Sequence, residues 1–103
     1  MTAAYSHDLP GKAVLIAGGA KNLGGLLARD FATRGARAIA IHYNSDATRA
    51  AAEETVAAVR ALGAEAHAWQ ADLTTAAAVQ RLFAEAKERL GGIDIAINTV
   101  GKV

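Results

Sequence analysis

Apolar and polar positions along this chain follow two alternating periods. An unbroken apolar run, Ala13-Val14-Leu15-Ile16-Ala17, follows Gly11-Lys12 and stops at Gly18-Gly19. Its length and flanking glycines predict a strand buried on both faces. From Asn22 to Arg34 the spacing becomes helical. Leu23, Leu26, Leu27, Ala28 and Phe31 recur as one apolar set, with Arg29, Asp30 and Arg34 elsewhere on the surface. Gly35 is placed to end that helix. Ala38-Ile39-Ala40-Ile41 predicts a second buried strand, ending near His42-Tyr43. Ser45 or Asp46 is placed to cap a helix that runs to about Leu62 and stops at Gly63. Glu65 to Ala71 reads as a third, weaker strand. Thr74 or Thr75 is placed to cap a helix carrying Val79, Leu82, Phe83, Ala86 and Leu90, closed by Gly91-Gly92. Ile93-Asp94-Ile95-Ala96-Ile97 predicts a fourth strand.

Strand, helix, strand, helix, strand, helix, strand is the pattern of βαβ units and of a parallel sheet. Right-handed crossovers leave few topologies, and the expectation is a Rossmann-type doubly wound α/β sheet with strand order 3-2-1-4. Residues 1–9 read as an N-terminal extension and residues 10–103 as one domain, with no linker and no internal sequence repeat. The fourth strand ends near Asn98. Left as a sheet edge it would present unpaired backbone groups with only Asp94 for protection, so further βα units are expected and the chain reads as the first part of a longer fold.

Composition narrows the class. Alanine supplies 27 of the 103 residues and glycine 10, which suits helices packed closely on a sheet. Eleven Lys and Arg against ten Asp and Glu leave a formal charge of +1 with no basic block, which argues against nucleic-acid binding. No run approaches the roughly 18 apolar residues of a transmembrane helix, and Met1 to Leu9 lacks a signal-peptide core. The expectation is a cytoplasmic protein that binds no membrane. Absence of cysteine excludes disulfides, thiolate metal sites and Cys nucleophiles. The three histidines, His7, His42 and His67, have no metal-ligand spacing. His67 and Trp69 share a strand face, where packing explains them better than ligand binding.

Between the first strand and first helix, residues 17–25 read Ala-Gly-Gly-Ala-Lys-Asn-Leu-Gly-Gly. A glycine-rich turn at that junction is where backbone N–H groups and a helix N-terminus can receive a pyrophosphate. Taken as Gly18-x-x-x-Asn22-x-Gly24, it resembles the T-G-x-x-x-G-x-G loop of the short-chain dehydrogenase/reductase family, with Ala17 in place of Thr and Asn22 in place of the middle Gly. Asn tolerates left-handed backbone, so the second exchange is physically mild. Ala71-Asp72-Leu73-Thr74 resembles the family's D-[VL]-[TS] segment. Asn98-Thr99-Val100-Gly101 resembles its N-N-A-G segment, matching at Asn98 and Gly101 and departing at Thr99 and Val100. The resemblance covers the chain from about Leu9 onward. It implies a nicotinamide dinucleotide cofactor, with Gly18, Ala20, Lys21, Asn22, Leu23 and Gly24 around the pyrophosphate. It also implies Asp72 and Leu73 at the adenine, and Asn98, Thr99, Val100 and Gly101 along the cofactor ribose.

Cofactor choice turns on one phosphate. An acidic residue at the end of the second strand bonds both ribose hydroxyls of NAD and repels a 2′-phosphate. Here that strand ends Ile41-His42-Tyr43-Asn44-Ser45, with His42 about where the acid would stand. Lys21 matches a basic residue of many NADP-preferring family members, and Asn44 and Ser45 can add neutral donors. NADP(H) is therefore the expected cofactor. NAD(H) remains the alternative, with Lys21 as a solvated loop lysine and Asp46 as the acid.

Family members move a hydride between nicotinamide and a carbonyl or alcohol carbon, using a Ser and a Tyr-x-x-x-Lys pair. Tyr5 is followed four positions on by Leu9, and Tyr43 by Ala47, so residues 1–103 contain no such pair. Two readings stand. One is the cofactor-binding part of an NADP(H)-dependent oxidoreductase that acts on a small carbonyl or alcohol substrate and is homo-oligomeric at full length. The other is a non-catalytic dinucleotide-binding or regulatory module.

Overall fold

The computed structural model describes residues 9–18 and 22–99, with Asn22 described through its backbone alone. Four strands form one sheet: β1 (Ala13–Ala17), β2 (Ala38–Tyr43), β3 (Glu65–Gln70) and β4 (Ile95–Asn98). All neighbours run parallel, in the order β3-β2-β1-β4. Helices α1 (Asn22–Thr33), α2 (Arg49–Ala61) and α3 (Ala76–Leu90) carry the crossovers, and a short 3₁₀ turn, Asp46–Thr48, precedes α2. Fold class and strand order are those the sequence pattern predicts.

The pleat divides the apolar runs between two cores. Val14 and Ile16 of β1 lie in register with Ile39 and Ile41 of β2, and pack with Ala28 and Phe31 of α1 and Val56 and Val59 of α2. Ala13, Leu15, Ala38 and Ala40 occupy the opposite face, against Leu82, Ala86 and Leu90 of α3. Each fully buried Leu, Ile, Val or Phe contributes about 1.5–3 kcal/mol of transfer free energy. The alanines of β2 let α3 approach the sheet closely, so the small residues serve contact distance and the branched ones serve volume.

Several local expectations need correction. Leu23 and Leu26 are 58% and 65% exposed, although their spacing suggested a buried face. The inward stripe of α1 is instead Gly24, Gly25, Ala28, Phe31 and Ala32, which turns those two leucines to the far side. Phe83 is likewise 40% exposed, because α3 buries only Leu82, Ala86 and Leu90. Neither Ser45 nor Asp46 caps α2. The 3₁₀ turn intervenes, the Asp46 carboxylate accepts from Arg49, and the Thr48 hydroxyl donates to Ser45 O. Thr75 does cap α3, its hydroxyl accepting from Ala78 N at 3.1 Å. Gly35, Gly63 and Gly91 follow the three helices at positive φ, as expected.

The fourth strand is shorter than its apolar pattern, beginning at Ile95. Asp94 explains the difference. Its backbone N–H donates to Ala13 O at 2.8 Å, while its side-chain Oδ2 accepts from Ala13 N at 2.9 Å. A carboxylate thus takes the place of a strand carbonyl at the entry to the β1–β4 ladder. Arg37 makes a parallel tie, donating from Nη1 to Leu90 O at 2.7 Å.

Asp94→Ala leaves the N–H of fully buried Ala13 without its acceptor, at a cost of about 1–3 kcal/mol. Asp94→Asn keeps an acceptor oxygen and loses less. Urea midpoints followed by far-UV circular dichroism should rank the variants parent, Asn, Ala.

Candidate functional site

In an open parallel sheet, the strand order reverses where consecutive crossovers run to opposite sides of one strand. Here that point is β1, with β2 and β3 on one side and β4 on the other. Crevices outside the carboxyl ends of strands at such a point are where α/β proteins take ligands. Four chain segments leave the sheet together there: Gly18 after β1, Asn44 after β2, Ala71-Asp72 after β3 and Thr99 after β4.

Gly18 has φ +80°, the left-handed region in which a side chain would be strained by about 1–2 kcal/mol. The turn it begins leads into α1, whose opening residues include buried Gly24 and Gly25 and whose first turn carries no acidic side chain. The N–H groups of that helix end therefore meet no carboxylate from the helix's own first turn. A pyrophosphate suits this place chemically. Leu23 is exposed beside it. Ala20, Lys21, Val100 and Gly101 lie outside the described residues, as does the Asn22 side chain.

Among the described residues, His42 and Thr99 hold the start of the turn. His42 is buried, at 1% exposure, on the α3 side of the sheet. Its Nδ1 accepts from Gly18 N at 3.1 Å, so the ring proton is on Nε2, which donates to Ala71 O at 2.7 Å. Thr99 works from the opposite flank. Its backbone N–H donates to Ala17 O at 2.9 Å, and its hydroxyl donates to Ala17 O at 2.8 Å and Gly18 O at 3.1 Å. These bonds carry lateral pairing past the ends of the strands.

His42 is thereby corrected. The sequence position suggested a side chain facing the cofactor's phosphate, but both ring nitrogens are already satisfied by backbone beneath the turn. Tyr43 is also buried and packs with Ala51, Ala52 and Ala68 on the α2 side. The Arg49 guanidinium lies 5.6 Å from its ring centroid and donates to Asp46 Oδ1 at 3.1 Å and Gln70 Oε1 at 3.2 Å. The Asp46 hydrogen bond raises the Arg49 pKa further above its ordinary value, so Arg49 stays a cation.

Asn44 and Ser45 are exposed after β2. Asp72 is exposed after β3, with Oδ1 accepting from Thr74 N at 3.1 Å, and Leu73 is half-buried against the α3 core. Asn98 ends β4 at the surface. His67 bonds Glu65 at 2.8 Å and tilts over Trp69 at 6.0 Å, a packing arrangement on the outer strand. The hydrogen bonds from Thr99 to the turn backbone were not anticipated. Its only signal was the departure from Asn at that place, which exchanges an amide for a hydroxyl short enough to reach two carbonyls.

A parallel 3-2-1-4 sheet with a left-handed glycine turn at its switch point defines a Rossmann-type α/β domain. The sequence model of the short chain dehydrogenases matches residues 12–103, and the chain belongs to that family. It is 40% identical over 94 residues to 3beta-hydroxysteroid dehydrogenase 1 of Eggerthella lenta, covering 91% of this chain and 35% of that protein. To a hydroxynaphthalene reductase of Aspergillus fumigatus it is 38% identical, covering 90% and 33%. Among solved structures, a dehydrogenase from Burkholderia cenocepacia with bound NADP is 72% identical, with a TM-score of 0.88 over 89% of this chain and 35% of that one. An NADH-dependent reductase complexed with NAD is 32% identical, with a TM-score of 0.79 over 90% and 37%. The chain spans about a third of the length of the relatives it matches.

Thr99→Val removes the hydroxyl that reaches Ala17 O and Gly18 O while keeping the side-chain shape. The loss expected is about 0.5–1.5 kcal/mol, the net worth of a hydrogen bond. Thr99→Ser should retain most of it. A thermal-melting series in which Val and Ser fall equally would show that the methyl, and not the hydroxyl, holds this end of β4.

Proposed function

We propose that this chain is the dinucleotide-binding part of an NADP(H)-dependent short-chain oxidoreductase acting on a small carbonyl or alcohol substrate. The observation that carries this reading is the left-handed turn at Gly18, at the end of the central strand and opening into a helix without acidic residues in its first turn. Bound there, a nicotinamide dinucleotide would supply a hydride donor or acceptor. The chain's own residues bind and orient it. Backbone from Gly18 to Gly24 and the start of α1 receive the pyrophosphate, Asp72 and Leu73 face the adenine, and Asn98 to Gly101 line the ribose.

The choice of NADP(H) over NAD(H) rests on the exposed residues at the end of β2. Asn44 and Ser45 present neutral donors there, and Lys21 supplies a cation from the glycine turn. The 72% identical dehydrogenase with bound NADP supports the same preference, whereas the NAD complex comes from a protein only 32% identical. A charge-assisted contact contributes about 1.5–3 kcal/mol, roughly ten- to hundredfold in affinity. NADPH should therefore bind at least about tenfold more tightly than NADH, measured by fluorescence titration. Lys21→Ala should weaken NADPH selectively. Equal losses for both dinucleotides would reduce Lys21 to a support of the turn.

Residues 1–103 contain no Tyr-x-x-x-Lys pair, and proton transfer by a positioned acid contributes about a hundred- to ten-thousandfold in rate. The 103-residue chain should accordingly bind cofactor and show no NADPH oxidation with any carbonyl compound. Turnover by a preparation shown by mass spectrometry to hold no longer species would refute that division. Full-length homo-oligomers and a cytoplasmic location belong to the same reading. A mature polypeptide of 10.6 kDa in the cell would favour the alternative, a dinucleotide-binding module without catalysis.

A further inference from the structure

We infer that His42 is a positioning residue of the dinucleotide site, setting the glycine turn through the Gly18 amide and tying it to the segment that carries Asp72. The inference deepens the reading proposed above and rests on it for the ligand. Its structural half stands on the ring's own bonds.

Gly18 has left the β1 ladder, so its N–H needs an acceptor from elsewhere. Among the described residues, no backbone carbonyl is seen to provide one. His42 Nδ1 does, at 3.1 Å, from a ring buried to 1% exposure. The opposite ring nitrogen reaches Ala71 O at 2.7 Å, one residue before Asp72. β1 and β3 are not neighbours in the sheet, since β2 lies between them. One imidazole therefore links the exit of β1 to the exit of β3 across the exit of β2, a span no strand ladder makes. On the proposed reading these are the pyrophosphate and adenine halves of the site. A fixed separation between them is what an extended dinucleotide requires, and pre-formed geometry lowers the ordering cost of binding.

The ring also has no vacant polar atom to offer a phosphate. Nδ1 is an acceptor here, and Nε2 spends its proton on Ala71 O. A residue that positions backbone affects every ligand using that backbone. A residue that reads the 2′-phosphate affects NADPH alone.

Two substitutions separate the bonds. The amide oxygen of Asn can occupy the place of Nδ1, and the amide nitrogen of Gln that of Nε2. His42→Asn keeps the acceptor for Gly18 and gives up Ala71. His42→Gln keeps the donor to Ala71 and leaves Gly18 N–H unpaired. On the full 103-residue chain without ligand, the Gly18 amide should stay protected from hydrogen exchange in His42→Asn and lose protection in His42→Gln, read by ¹H–¹⁵N NMR. Dissociation constants should rise about tenfold in His42→Gln for NADPH and NADH alike, the equivalent of one hydrogen bond. The rise in His42→Asn should be smaller. Equal loss of Gly18 protection in the two variants overturns the clip, and a rise confined to NADPH overturns positioning in favour of phosphate reading. A parent chain that binds neither dinucleotide overturns the ligand assignment instead, and the Gly18 exchange result then decides the clip by itself.

Discussion

A central strand closed in on both edges and both faces has no water to satisfy its backbone. β1 is in that position, with β2 and β4 hydrogen-bonded to its edges and all but its last residue buried. The ladder serves residues within the strands. Just outside them, the chain must find other partners for strong, obligatory donors and acceptors. At the entry, the Asp94 carboxylate receives Ala13 N–H. At the exit, His42 receives Gly18 N–H and Thr99 donates to Ala17 O and Gly18 O. All three partners come from neighbouring strands or their margins, so the sheet must assemble in this order before the turn acquires its shape.

The two faces of the sheet satisfy a second constraint, on distance. Helices reach a sheet closely only where side chains are small. On one face Ala13, Ala38 and Ala40 form the floor and α3 brings Leu82 and Leu90 to it. On the other, the strands supply Val14, Ile16, Ile39 and Ile41, and the small residues lie on α1 as Gly24, Gly25, Ala28 and Ala32. Small residues therefore sit on the strand side of one layer and on the helix side of the other. That arrangement brings the start of α1 against the end of β1, where the glycine turn must be short.

The strands were legible because an unbroken apolar run between glycines has few other uses, and the parallel order followed from the alternation of periods. Helix faces were less legible. Leu23 and Leu26 share the spacing of buried residues, but Gly24 and Gly25 are the buried positions there, and glycine is silent in a hydrophobic pattern. The cap of α2 failed to appear because Asp46 has a local competitor in Arg49 and the chain makes a 3₁₀ turn first. At the candidate site, position along the chain gave four segments that follow the carboxyl ends of the strands, where the structure has them. It did not reveal which side chains face inward. Strand parity places His42 on the α3 face, but the period alone cannot distinguish a histidine aimed at ligand from one bonded to backbone on both sides.

That distinction gives the site its internal logic. Polar side chains at the strand exits divide into an enclosed set, with His42 buried and Thr99 half-buried, and an exposed set. His42 and Thr99 belong to the first, and their polar atoms are occupied by the backbone of the turn and of the β3 exit. Asn44, Ser45, Asp72 and Asn98 belong to the second and stand at the surface. A buried polar atom withdrawn from its partner costs about 1–3 kcal/mol, which consumes most of what a new ligand contact could return. Residues of the first set therefore determine where the backbone lies. Substituting Asn44 or Ser45 leaves those bonds in place. Substituting the enclosed set changes the turn itself, and with it the binding of any ligand that depends on the turn's N–H groups.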